Sequence, residues 1–300
     1  MGKKLVVALI VIFLLVMGAL SIKVSSAPQY GLAGKGLSGI GVIEVNGLIG
    51  ASGSYLGTDT SSAGQIMKAV REAREREDIK AVVLRVNSPG GAAGASQEIA
   101  IELDKLRDSG KPVVTSMGDS CASGGYWIAC STDYIIANGT SITGSIGVIM
   151  ELTNLQELFD KLGIRQETIK SGVHKDMGSA GREMTEQERA IFQDMIDDSY
   201  QQFLDQVRQG RKGKITEEKL LEIADGRMFT GRQAMELGIV DGLGNYYDAI
   251  EKARDLGGLS SESKVEVLNA NKFWEEIFLS YDAGNVLGEL ISPDSQLLFD

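Results

Sequence analysis

One stretch of the chain, DIKAVVLRVNSPGGAAGASQEIAIELDKLRDSGKPVVTSMGD (78–119), leaves few folds open. It reads as an apolar strand from Ala81 to Val86, a glycine-rich turn, and an amphipathic helix with Ile99, Leu103 and Leu106 on one face. A second apolar run with Val113, Val114 and Met117 follows at once, and Gly118-Asp119 marks its end. A helix between two buried strands has to cross over the sheet, which makes the strands parallel and the crossover right-handed. The alternation continues on both sides: GIGVIEVNGLIG (39–50) and DYIIAN (133–138) read as strands, and residues 61–78 as a helix with Ile66, Val70 and Ala73 on one stripe. Thr185 and Glu188 have capping-box spacing ahead of a long helix through Val207, whose apolar face includes Ile191, Met195 and Phe203. The expectation is an α/β fold of stacked β-α-β units with a helical carboxyl region. A chain of 300 residues with 43% apolar content can bury such a core as one domain. No internal repeat is visible, so one site per chain is expected.

Small residues gather where this pattern puts strand ends. Ser123, in DSCASGGYWIAC (119–130), follows the second apolar run and opens a short helix. A hydroxyl at such a junction has unpaired helix N–H groups beside it, which stabilise charge developing on its oxygen. Gly124 and Gly125 let a substrate backbone come close, although Ser-Gly-Gly alone also fits a tight helix-packing turn. The turn Ser88-Pro89-Gly90-Gly91 offers further backbone N–H groups at the carboxyl end of a strand, where α/β folds build their sites. Such donors can hold the oxyanion of a tetrahedral intermediate. An ordinary type II turn is the plainer alternative, and a phosphate cradle is disfavoured by the missing Gly-Lys-Ser/Thr ending.

The single histidine limits the chemistry. It excludes a multi-histidine metal site, and a Ser-His-Asp arrangement would have to use His174. That residue directly precedes Lys175 in ETIKSGVHKDMGS (167–179), and neighbours in an extended segment point to opposite faces, so only one of the two faces a given serine. Lysine serves as a base once its ammonium form is disfavoured. A net charge of −11, with no basic patch among aromatics, argues against nucleic acid as a partner. Cys121 and Cys130 read as lying on one helix, about 13.5 Å apart, too far for a disulfide.

The order NSPGG (87–91), ASGGYWIA (122–129), TGSIGVI (143–149), KSGVHKD (170–176) and GRMFTGRQAMELGIVDGLG (226–244) is similar to the signal peptide peptidase A family, also called protease IV. The resemblance implies a caseinolytic-protease/crotonase-like fold and a serine endopeptidase that cleaves peptides, remnant signal peptides above all, without a cofactor. It implies Ser123 as nucleophile, Lys175 as general base, Ser145 as the hydroxyl that orients the lysine, and Gly90, Gly91 and Gly124 at the oxyanion hole. A ring-like homo-oligomer is implied as well. Ser145 falls in an apolar strand-like run from Ile142 to Met150, which suits a fixed hydrogen-bond partner better than an exposed attacker. Ala92 and Ala93 stand where a glycine and a bulkier aliphatic are expected, and Cys121 replaces a usual alanine; these departures bear on subsite shape. Two other readings are a crotonase-like coenzyme A enzyme, which stabilises a thioester enolate, and a non-catalytic membrane scaffold. Neither needs Ser123 as a nucleophile.

Leu5 to Ile22 is an apolar stretch of about 18 residues behind Lys3 and Lys4, near the minimum for a spanning helix with its positive flank in the cytoplasm. The expected organisation is a cytoplasmic terminus (1–4), a transmembrane signal-anchor (5–22), a flexible stalk (23–38) and an extracytoplasmic peptidase domain (39–258). A final segment (259–300), with Phe273, Trp274, Ile277 and Phe278, is apolar enough to pack or assemble. Ser25-Ser26-Ala27 keeps a cleaved signal peptide as the rival to the anchor.

Overall fold

The computed structural model describes residues 39–50 and 60–270. The anchor and stalk segments and Phe273, Trp274, Ile277 and Phe278 lie outside the described residues. Among those that are described, no helix is long and apolar enough to cross a membrane.

An eight-stranded sheet forms the frame. Its main path runs β10 (Lys264–Val267), β1 (Gly39–Asn46), β4 (Ile79–Ser88), β5 (Val113–Ala122), β6 (Tyr134–Ala137) and β9 (Gly242–Leu243), every neighbour parallel. A short β7 (Ile142–Gly144) pairs in parallel with the end of β5 and antiparallel with β8 (Met228–Thr230). Helices α1 (Ala63–Glu75) and α2 (Ala93–Asp108) are the crossovers that the sequence pattern demands. Because side chains alternate along a strand, β4 feeds two cores. Val82, Leu84 and Val86 pack with Ile66, Val70, Ile99 and Leu103 on one face, and Ala81 and Val83 pack with Ala249, Ile250 and Ala253 on the other. The second group belongs to α8 (Tyr246–Gly257), which is held at its start by an Asn245 cap.

Several boundaries differ from the sequence reading. The run 39–50 is two strands, because Gly47 turns at a φ of 72° and β2 (Leu48–Gly50) leaves the sheet to pair with β3 (Thr60–Ser62). β5 does not stop at Gly118-Asp119. Asn87 Oδ1 accepts the N–H groups of Asp119 and Ser120, so the chain bulges there and resumes pairing at Cys121. Cys121 is therefore a strand residue and Cys130 caps α3 (Gly124–Ala129), so the two do not share a helix; both are free and buried. The sheet also takes β10 from beyond residue 258, where the peptidase domain was expected to end.

The carboxyl helices are α4 (Gln156–Leu162), α5 (Glu186–Gly210), α6 (Glu217–Ile223) and α7 (Gly231–Glu236), followed by α8. The capping box at Thr185 and Glu188 forms as its spacing predicts. Apolar burial on α5 is confined to Phe203, Leu204 and Val207, while Met195 is half-exposed, so no apolar side chain in the first half of the helix is fully buried. Its far end is pinned by Arg211, which is 1% exposed. The guanidinium donates to both carboxylate oxygens of Asp241 and to the carbonyl of Gly238.

Candidate active site

Strand β5 leads straight into Ser123, whose φ of 51° and ψ of −122° lift it out of the sheet before α3 begins. Its N–H donates to the Gly144 carbonyl at 2.9 Å, and its own carbonyl accepts the N–H of Trp127 at 2.9 Å. From Cys121 to Cys130 every residue is buried except Ser123, which is partly exposed. The end of β5 is fixed from several sides. Asn138 Nδ2 donates to the Met117 carbonyl at 3.1 Å and Ser141 Oγ to the Gly118 carbonyl at 2.5 Å.

The 88–92 turn lies directly against Ser123. A methyl group added at Gly90, where φ is 111°, would stand 2.8 Å from Ser123 Cβ and 2.9 Å from the Gly124 nitrogen. One added at Gly124 would collide with Ser96 Oγ and lie 3.3 Å from the Gly91 nitrogen. Both glycines exist because no side chain fits between the turn and the helix start.

The three glycines expected at the oxyanion hole are brought together, but their N–H groups are not equivalent. Gly90 already donates to buried Ser88 Oγ at 3.1 Å. Its carbonyl accepts the Ile49 N–H at 2.8 Å, and the Ala92 N–H donates to the Ile49 carbonyl at 2.9 Å, so β2 braces the turn. The N–H groups of Gly91 and Gly124 have no hydrogen-bond partner among the described residues. The Gly90 N–H is therefore already engaged within its own turn. The brace by Ile49 was not visible in the sequence, because nothing in a three-residue strand announces where it will pair.

Ser145 sits beside this group. Pairing of Ala122 with Gly144 sets the two serines one residue beyond adjacent strand ends. Contrary to the expected run from Ile142 to Met150, the strand stops at Gly144, and Ser145 turns away at a φ of 51° with its N–H on the Arg227 carbonyl at 2.9 Å. Gly144 itself turns at a φ of 81°, so the strand cannot continue through it without bending.

Lys175 is not joined to this cluster. It is exposed, and no hydrogen bond or ion pair links its Nζ to any described residue. The segment around it is a series of turns rather than extended chain; Nδ1 of His174 is buried with no partner among the described residues, while Lys175 is exposed. Between Ser145 and Lys175 the chain forms an arm with exposed Ile149, Met150, Leu162, Ile169 and Val173, Ile169 being 96% exposed. A cleft on this arm, lined by Asn154, Gln156, Glu157, Lys161 and Glu183, contains none of the groups named above. Among the described residues no cluster of three or more His, Cys, Asp or Glu is placed to hold a metal ion.

Residues 105–260 match peptidase family S49. A Synechocystis sp. protein that carries a protease name is 46% identical over 67% of this chain and 71% of its own length. An Enterococcus faecium protein that carries the name signal peptide peptidase SppA is 34% identical over 76% of this chain and 66% of its own length. Of solved structures, the 1510-N membrane-bound stomatin-specific protease superposes with a TM-score of 0.50 at 14% identity, covering 77% of this chain and 98% of that one, a likeness of fold.

Proposed function

The chain belongs to peptidase family S49, the signal peptide peptidase A family, and is a serine-type endopeptidase; we propose that Ser123 is its nucleophile and Lys175 its general base. The observation that carries this reading is the setting of Ser123, a partly exposed residue in a buried run, next to two N–H groups that no other described residue uses. Neutral Lys175 Nζ takes the hydroxyl proton as Oγ bonds to the scissile carbonyl carbon. The oxyanion that forms accepts from Gly91 and Gly124, each donor contributing about 3 kcal/mol to the transition state. The lysine ammonium then gives its proton to the leaving amine, and water cleaves the acyl-enzyme with the amine again as base. The Ser145 hydroxyl orients that amine.

Lys175 serves a neighbouring copy. An exposed lysine on an arm of exposed apolar side chains is what remains when an interface is opened, since isolated surfaces rarely show so many. The assembly is a ring-like homo-oligomer in which each arm completes the next site. The segment 5–22 anchors it with the peptidase domain on the extracytoplasmic side, beside apolar peptides such as remnant signal peptides.

The test is subunit mixing. Ser123→Ala and Lys175→Ala should each be inactive, and dissociating and reassembling them together should restore hydrolysis, because some sites then pair an intact serine with an intact lysine. A mixture that assembles and stays inactive would exclude the shared site.

A further inference from the structure

The turn that carries Lys175 is built around one guanidinium. Arg182 Nε and Nη2 donate to the two Asp176 carboxylate oxygens at 3.1 and 3.0 Å, and Nη2 also reaches the Asp176 carbonyl at 3.2 Å. The same group donates to both Glu188 oxygens, at 2.9 and 2.5 Å. Glu188 is 3% exposed and is the capping-box residue of α5, so Arg182 ties the residue after Lys175 to the first turn of that helix. Lys170 closes the turn from the other side, donating to Asp176 at 2.5 Å and to the Val173 carbonyl at 3.0 Å.

On the reading that Lys175 is the general base, we propose that Arg182 is its positioning residue, holding the 170–176 turn on α5 and keeping the Asp176 carboxylate occupied so that Lys175 has no anionic partner. A base must be a neutral amine, and a free carboxylate one residue away favours the ammonium form. Asp176 is adjacent to Lys175 in the chain, yet its ion pairs go to Arg182 and Lys170. The charged and titratable groups of the turn are Lys170, His174, Asp176 and Arg182, and α5 contributes Glu188. Hydrogen bonds from Arg182 and then Lys170 hold Asp176 well below the usual carboxylate range. The Arg182 bond and the Thr185 N–H hold Glu188 at about 2. The cluster is thus fixed from neutral to alkaline pH.

The experiment compares the full-length assembled enzyme with Arg182→Met, counting active sites with a fluorophosphonate probe. We expect kcat per titrated site to fall about tenfold to a hundredfold with little change in KM, because misplacing a reacting group by an ångström costs that much. The rising limb of kcat/KM against pH should move up by about one unit as Asp176 is released. Adding Asp176→Asn should return the limb to its wild-type position, which a merely structural role for Arg182 does not predict. Fewer titratable sites with unchanged kcat per site and an unmoved limb would overturn the proposal. Should Arg182→Met not assemble, Arg182→Lys, which keeps a cation but loses the fork, must still lower kcat, and an unchanged kcat overturns it equally. Full activity in Lys175→Ala refutes the base assignment instead, so the two failures are distinguishable.

Discussion

Ser123 and Ser145 are the non-glycine residues with positive φ among the described residues, both at 51°. Such a conformation costs on the order of 1–3 kcal/mol and persists only where the surroundings enforce it. Here the Ser123 N–H is held by the residue preceding Ser145, and the Ser145 N–H by the Arg227 carbonyl. Ser123→Ala should abolish peptide hydrolysis without lowering the melting temperature, because it deletes one oxygen and leaves the backbone in place. Ser145→Ala should slow hydrolysis without ending it. Acyl-enzyme formation surviving in the first variant and lost in the second would exchange the roles. Lys175→Arg should be as inactive as Lys175→Ala, since a guanidinium keeps its proton, whereas His174→Ala should retain most activity with kcat/KM still rising with pH. The position of Ser123 was legible because a strand, a Ser-Gly-Gly and a short helix follow each other in the chain. Which glycine N–H is already engaged was not, because that depends on the Ser88 side chain folding back onto Gly90.

At the scale of elements, local signals read well and partners did not. The α5 cap was readable from Thr185 and Glu188, residues that bond to each other. The exposure of Met195 on the same helix was not, since an apolar stripe does not say which molecule will cover it. The end of β5 was misjudged for a related reason: Gly118-Asp119 is turn chemistry locally, and only the Asn87 side chain from β4 converts it into a bulge. The α5 cap also predicts a pH dependence. Glu188 is depressed to about 2 by Arg182, so its pairing stabilises the fold fully above the ordinary glutamate range and is lost as pH falls towards that value. Thermal unfolding followed down the acid range should show stability dropping in the wild type and a shallower slope in Glu188→Gln, which should also melt lower at neutral pH. Identical slopes would remove Glu188 from the acid transition.

For the molecule as a whole, the parallel sheet was legible because a strand covered on both faces carries a continuous apolar stretch, as β4 does from Ala81 to Leu84 and β5 at Val113 and Val114. The buried pair of Arg211 and Asp241 was not, as charged residues far apart in sequence give no hint that they will meet inside. Nor was the separation of Lys175 from Ser123, which is the feature with the widest consequence. If half of the apparatus arrives on a neighbour's arm, a newly made copy is latent. Hydrolysis per chain should then track the assembled fraction when the same samples are followed by sedimentation and by peptide cleavage, and full activity in separated copies would contradict this. On that proposal, assembly would take the part that removal of a propeptide plays in a zymogen, and the cell would carry an unarmed protease until enough copies meet in one place.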